Sequence, residues 1–153
     1  MAVLKTHVAL NVRNIANSVT FYQAMFGVTP VKHKDDYAKF DLVNPPLNLT
    51  LNLSDQVQSG GALSHLGIQV ETSEDVRAAI QRFKEAKLAL FEEKDADCCY
   101  ALQDKVWVTD PDGNRWEVFV VKVADTAPEK NVFATVNCES NSTSSVTPKS
   151  CCA

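Results

Sequence analysis

The sequence predicts an α+β fold in which two copies of a β-α-β-β-β unit pack together as one domain. The segment Thr6–Val12 (THVALNV) returns at residues 64–70 as SHLGIQV, and the residue types match along the whole segment. A helix signal follows each copy, and three strand-like stretches follow each helix signal. A strand repeat on this scale buries its core only when the two copies pack together.

The first module is assigned to residues 3–55. Alternation along its opening strand sends the valines and the leucine to one face and His7 to the other. Asn14 can cap the helix that follows, because an apolar stripe with helical spacing begins just after it. The strands expected next lie at residues 28–32, 37–43 and 47–53.

The second module is assigned to residues 62–123 and repeats this order, with His65 in the place of His7. Thr72 or Ser73 can cap its helix. The strands expected after the helix lie at residues 89–92, 99–108 and 116–122. Beyond these, residues 124–153 are too polar to offset the entropy of ordering, so we expect a disordered tail.

The composition limits the classes of function that this chain can have. A hydrophobic content of 45% is enough for one globular domain, assigned here to residues 3–123. A net charge of -4 argues against a nucleic-acid or anionic-membrane surface, since those partners attract clustered lysine and arginine. Without a long apolar run or a signal-peptide pattern, a cytoplasmic protein acting on a small molecule is expected, as a monomer or a homodimer.

Three residues form a candidate metal site. His7 and His65 occupy equivalent repeat positions on the polar faces of their strands, so we expect both to look into one shared cavity. Glu117 is the lone carboxylate of an apolar closing strand, where it needs a partner or a metal. Two histidines and one carboxylate are typical of non-haem iron(II) that activates dioxygen, although zinc, nickel or manganese can use the same ligands.

Other polar residues carry weaker signals. Each metal candidate taken alone is better explained as an ordinary strand residue, and it is the repeat that favours the metal. His33 stands in a charged stretch typical of a solvated turn and receives no role. Asn48, Thr50 and Asn52 alternate with leucines and either line the cavity or serve the structure.

The five cysteines include two adjacent pairs, which is not the spacing of a secreted disulfide framework. A bond between neighbouring cysteines is strained, so Cys98 and Cys99 are expected as a reduced vicinal dithiol. Trivalent arsenic with one organic group has two valences left for sulfur, which matches this pair in number. Cys138, Cys151 and Cys152 fall in the expected tail, where they either hand over a soft metalloid or have no role.

The module order and the two-histidine, one-glutamate pattern resemble the vicinal oxygen chelate superfamily of glyoxalases, extradiol dioxygenases and fosfomycin and bleomycin resistance proteins. Three segments, residues 36–40 (DYAKF), 44–51 (NPPLNLTL) and 91–108 (FEEKDADCCYALQDKVWV), look more narrowly like the ArsI-type carbon-arsenic lyases. The resemblance covers about residues 5–122.

The resemblance implies a curved mixed sheet around a metal-binding cavity and an iron(II)-dependent, dioxygen-consuming enzyme. Such an enzyme cleaves the carbon-arsenic bond of methylarsenite and of aromatic arsenicals and releases arsenite. His7, His65 and Glu117 match the family's metal positions, and Cys98 and Cys99 match its arsenic-binding pair.

Two other functions stay open at this stage. Relatives with this signature are also described as cadmium-induced, which suggests a protein that sequesters cadmium or arsenite without catalysis. A different enzyme of the superfamily, such as an extradiol dioxygenase or a fosfomycin resistance transferase, would keep the metal and leave Cys98 and Cys99 without a role.

Overall fold

The computed structural model describes residues 2, 4–58, 62–98 and 101–123. The first module contains β1 (Thr6–Val12), α1 (Ile15–Phe26), β2 (Lys32–His33), β3 (Tyr37–Leu42) and β4 (Leu47–Leu53). The second contains β5 (Leu66–Gln69), α2 (Ser73–Glu85), β6 (Leu90–Cys98), β7 (Ala101–Thr109) and β8 (Arg115–Val123). The predicted α+β class and the repeated β-α-β-β-β order are therefore confirmed. The expected disordered tail lies outside the described residues.

Both helices begin at the residues that the sequence indicated. The side chain of Asn14 accepts a hydrogen bond from the backbone amide of Asn17 and so caps α1. Thr72, not Ser73, caps α2, because its hydroxyl and the carboxylate of Asp75 form a reciprocal capping box. Gly27 caps the C-terminal end of α1, and its φ of 68° is a left-handed conformation that glycine adopts without strain.

Each module forms its own four-stranded mixed sheet, in the orders β1-β4-β3-β2 and β5-β8-β7-β6. In the first sheet β1, which carries His7, pairs in parallel with β4. In the second sheet β5, which follows His65, pairs in parallel with β8.

Two of the predicted strands differ in length from the observed ones. The strand expected at residues 28–32 is only Lys32–His33, so His33 lies in a short exposed strand instead of a turn. The strand expected at residues 89–92 continues as far as Cys98.

The two helices lie between the two sheets. Tyr22 and Phe26 of α1 contact Phe40 of their own sheet, and both also contact Trp116 of the other, with ring centroids 5.8–6.3 Å apart. α2 packs on β6, β7 and β8 and also touches α1. One apolar cluster drawn from both modules therefore fills the centre, and Trp116, only 2% exposed, joins the halves.

Polar contacts fix the two modules against each other. The Tyr22 hydroxyl donates to the Asp110 carboxylate at 2.6 Å, and burial together with that carboxylate raises the pKa of Tyr22 above its usual range. Arg82 of α2 donates to the carbonyl oxygens of Ala24 and Met25 at the C-terminal end of α1, where a cation is favoured. None of the described helices combines the length and the apolar character needed to cross a membrane.

β6 bends at a bulge between Glu93 and Ala96, where Asp95 adopts a φ of 52°. Asp104 of β7 holds the bend by accepting hydrogen bonds from the Asp95 amide at 2.9 Å and from the Ser73 hydroxyl at 2.7 Å. Lys122 adds ion pairs to both carboxylates, 3.1 Å from Asp104 and 2.5 Å from Asp95. This cluster fixes the bulge, which lies a few residues from the turn of the β6–β7 hairpin.

Burial alone would raise the pKa of Asp104, but these hydrogen bonds and Lys122 lower it to about 2. A carboxyl whose pKa is lower in the folded state stabilises the fold above pH 4, and this contribution is lost as the pH falls toward 2. Asp104→Asn should therefore cost about 1 kcal/mol at pH 5, after allowance for solvent screening, and clearly less at pH 2. Urea unfolding at the two pH values measures both differences, and an equal loss at both would contradict this role of Asp104.

Candidate metal centre

Glu117 lies on the face of β8 that points away from the helices, because its neighbours Trp116 and Val118 point into the core. Its side chain is only 10% exposed, and its two oxygens have different partners. Oε1 is 3.7 Å from Nε2 of His65, and Oε2 is 3.3 Å from Nζ of Lys105. The carboxylate is thus held between a histidine and a buried lysine.

Gly67 allows this placement of the carboxylate. It lies level with Glu117 on the neighbouring strand β5, where a Cβ atom would stand 3.0 Å from the Glu117 Cγ and 3.1 Å from Oε1. Any larger residue there would have to displace the glutamate side chain. Gly67, the glycine of the HLG segment in the second repeat copy, therefore leaves room for the Glu117 side chain. The sequence did not indicate this role.

His7 lies on the corresponding face of the first sheet. Its ring Nδ1 is 3.0 Å from the carbonyl oxygen of Asn48, which can only accept, so Nδ1 carries the proton and Nε2 presents its lone pair. Histidine ligands of metals are usually oriented by such a backbone contact. Asn48 also buries its side-chain Oδ1, which has no hydrogen-bond partner among the described residues.

The structure brings together two of the three predicted ligands. In the part of the chain that it describes, no three His, Cys, Asp or Glu side chains are close enough to hold one metal ion. His65 and Glu117 are neighbours, whereas His7 faces outward from the other sheet. Because the helices lie between the sheets, the face with His7 and the face with Glu117 point away from each other.

The pair formed by His65 and Glu117 fits a metal ion. Two ligands of one tetrahedral or octahedral ion lie about 3.0–3.4 Å apart. The observed 3.7 Å between Nε2 and Oε1 is within a few tenths of an ångström of that separation. An imidazole nitrogen and a carboxylate oxygen also suit iron, zinc, nickel and manganese alike. A third ligand and open positions would complete such a site.

Trp107 forms a wall of the site beside these ligands. It lies directly opposite Glu117 in the β7–β8 register, and its ring meets the His65 ring edge-on at 5.1 Å. Two cations approach that ring, Arg115 at 4.5 Å and Lys105 at 5.5 Å from its centroid. The sequence analysis missed Lys105, although alternation along β7 puts it on the same face as Trp107.

Cys98 is the last residue of β6 and pairs with Ala101 of β7 at the end of the hairpin. Its predicted partner Cys99, and with it the geometry of the dithiol, lies outside the described residues. Glu117 is level with Trp107, which stands six positions along β7 from Ala101, or at most about 20 Å in an extended strand. Asp95, three residues before Cys98 in β6, forms an ion pair with Lys122.

Comparison with known proteins identifies the family. Residues 6–118 match the model of the Glyoxalase/Bleomycin resistance protein/Dioxygenase superfamily, which covers both modules and all three candidate ligands. The chain belongs to this superfamily. A crystal structure of a member from Alicyclobacillus acidocaldarius has the same fold, with a TM-score of 0.64, 16% sequence identity, and coverage of 77% of this chain and 91% of that one.

Two curated relatives are more similar in sequence. A trivalent organoarsenical cleaving enzyme of Bacillus sp. strain MD1 is 45% identical over 95% of this chain and 97% of its own length. A cadmium-induced protein of Mycobacterium bovis is 44% identical over 76% of each chain. The sequence motifs predicted a resemblance to organoarsenical-cleaving enzymes, and the family match and these relatives confirm it.

Proposed function

We propose that this protein cleaves the carbon-arsenic bond of trivalent organoarsenicals in a reaction that uses iron(II) and dioxygen. The observation that carries the proposal is the buried carboxylate of Glu117, held with Oε1 toward His65 on the outer face of the second sheet. Similarity along almost the whole chain to a trivalent organoarsenical cleaving enzyme supplies the substrate class.

His7, His65 and Glu117 would hold the ion. When bound there, iron(II) supplies the means to activate dioxygen, because the remaining coordination positions are open. The protein's contribution is to fix the ligands. Asn48 orients the ring of His7 through its carbonyl oxygen, and Lys105 and Gly67 fix the carboxylate of Glu117.

A second copy of the chain would supply His7. The helix layer separates the outer face that carries His7 from the one that carries His65 and Glu117, so a single chain in this arrangement presents two incomplete halves. β1 and β5 are edge strands of their sheets, and their outer partners can come from another molecule. Two chains related by a twofold axis would then form two equivalent sites, each with one histidine from one chain and two ligands from the other.

Cys98 and Cys99 would bind the substrate. Each thiol loses its proton and forms one arsenic-sulfur bond, and two hydroxyl groups leave methylarsenite as two molecules of water. The arsenic then retains its methyl group, which is the group to be removed. Because Cys98 is the last residue of β6 and Glu117 is level with Trp107, the reaction requires the bound arsenic to come closer to Glu117 than the register places Cys98.

The division of roles between thiols and metal ligands can be tested by exchanging both cysteines, Cys98→Ser and Cys99→Ser. Both exchanges are made in a chain that already carries Cys151→Ser and Cys152→Ser, so that this second adjacent dithiol cannot bind arsenic. They should then weaken methylarsenite binding at least about 100-fold, because two soft ligands are lost at once, while iron(II) is retained. Equilibrium dialysis with elemental analysis measures both elements in one experiment. The chain with Cys151→Ser and Cys152→Ser alone is the matched control, and it should retain iron(II) and bind one methylarsenite. Equal loss of iron and arsenic from the Cys98, Cys99 variant would contradict the proposal.

A sequestering protein is the second candidate, and the similarity to a cadmium-induced protein favours it. It would bind cadmium or arsenite through its thiols and consume no dioxygen. Its protective effect in cells would then survive the loss of His7 or Glu117. A lyase would lose protection against methylarsenite in both variants.

A further inference from the structure

Lys105 is a buried cation that contacts a proposed metal ligand without being a metal ligand itself. Its side chain is only 4% exposed, although alternation along β7 places it on the face opposite the core residue Val106. Its Nζ lies 3.3 Å from Glu117 Oε2, the oxygen that does not face His65. Burying this pair of charges is costly, and two apolar side chains in place of Lys105 and Glu117 would often give an equally stable fold. The contact between Lys105 and this carboxylate therefore points to a functional role.

The charges around Glu117 give that reason. On the ring of Trp107, Arg115 adds a second cation, while Glu93 accepts a hydrogen bond from the indole at 3.4 Å. Lys105 is the cation in contact with the proposed metal-ligating carboxylate. It draws electron density from that ligand and repels additional positive charge at the neighbouring position, and both effects are strong where water is excluded.

Resting on the proposed function, we propose that Lys105 is a positioning residue that keeps the iron of this site in the ferrous state. A fixed positive charge next to the ligand destabilises the ferric ion, which carries three positive charges, more than the ferrous ion, which carries two. It therefore favours the reduced member of the one-electron couple, in which ferric iron gains an electron and becomes ferrous iron. Retaining iron(II) until substrate arrives would protect the enzyme from inactivation by oxidation in air.

Lys105→Gln tests this directly, because glutamine can still donate a hydrogen bond to Oε2 but carries no charge. In a potentiometric titration with mediators, the ferric-to-ferrous ratio at a given potential should rise at least tenfold, a shift of about 59 mV for one electron. Lys105→Arg, which keeps the charge, should titrate like the intact protein. Lys84→Met is the matched control, because Lys84 forms an exposed pair with Glu92 at 2.9 Å, and it should cause no shift.

Lys105→Met serves as a second charge-free variant if the glutamine variant does not fold, and it should shift the ratio in the same direction. An unchanged potential in either folded charge-free variant, or an arginine variant that shifts as far as the glutamine one, would overturn the role of Lys105 and leave the proposed function intact. If the intact protein binds no iron(II) at all, the proposed function fails, and this inference fails with it.

Discussion

Replacing Glu117 with glutamine should weaken iron(II) binding at least about 100-fold and should also destabilise the fold by about 3 kcal/mol. The first effect follows from the loss of a charged ligand. The second follows from Lys105, which would remain buried without its counter-charge. Calorimetric titration with cobalt(II) or iron(II) measures the first, and urea unfolding of the metal-free protein measures the second.

The double variant Glu117→Gln, Lys105→Met separates the two effects. It replaces the buried ion pair with a neutral pair, so stability should return to within about 1 kcal/mol of the intact protein while metal binding stays lost. Glu92→Gln, at the exposed pair with Lys84, is the control and should change neither quantity measurably. Full metal affinity in Glu117→Gln would show that this carboxylate is not a ligand.

Mixing two inactive variants should restore a metal site, if each site is built from two chains. A chain with His7→Ala still offers His65 and Glu117, and a chain with His65→Ala still offers His7. In a mixed pair isolated by two different affinity tags, one site is intact and the other lacks both histidines. Cobalt(II) titration should therefore find one ion per two chains, whereas each variant alone binds none.

A second mixture controls for nonspecific recovery. His65→Ala and Glu117→Gln damage the same half of the site, so no combination of those two chains contains all three ligands. This pair should bind no cobalt(II). Recovery in both mixtures would show that mixing acts by another route, and recovery in neither would contradict a site shared between chains.

The sequence predicted the fold because the information for it is local and repeated. The strand of THVALNV and its copy, the caps at Asn14 and Thr72, and the alternation in β4 each depend on neighbours along the chain. Strand extents were less predictable. β6 continues past its bulge because Asp104 and Lys122, distant in sequence, hold Asp95 in place, and no periodicity near Asp95 indicates those partners.

The candidate metal ligands could be named from the sequence and stay a prediction, whereas their arrangement in the fold could not be predicted. The repeat singled out His7 and His65, and burial of a lone carboxylate singled out Glu117. Whether the polar faces of the two sheets meet depends on which faces the helices cover, and that is decided by contacts such as Tyr22 with Trp116 and with Asp110 across the modules. Lys105 was missed because a lysine in a strand ordinarily faces solvent.

The most direct test of the proposed function is dioxygen uptake measured together with arsenite release. The protein is loaded with iron(II) without oxygen, methylarsenite and then dioxygen are added, and the intact chain is compared with the Cys98→Ser, Cys99→Ser variant and with Glu117→Gln. The predicted result is arsenite release in constant proportion to dioxygen uptake by the intact chain, and neither in the variants. Tight arsenic binding by the iron-loaded intact chain without dioxygen uptake or arsenite release would contradict a lyase and identify a metalloid-sequestering protein.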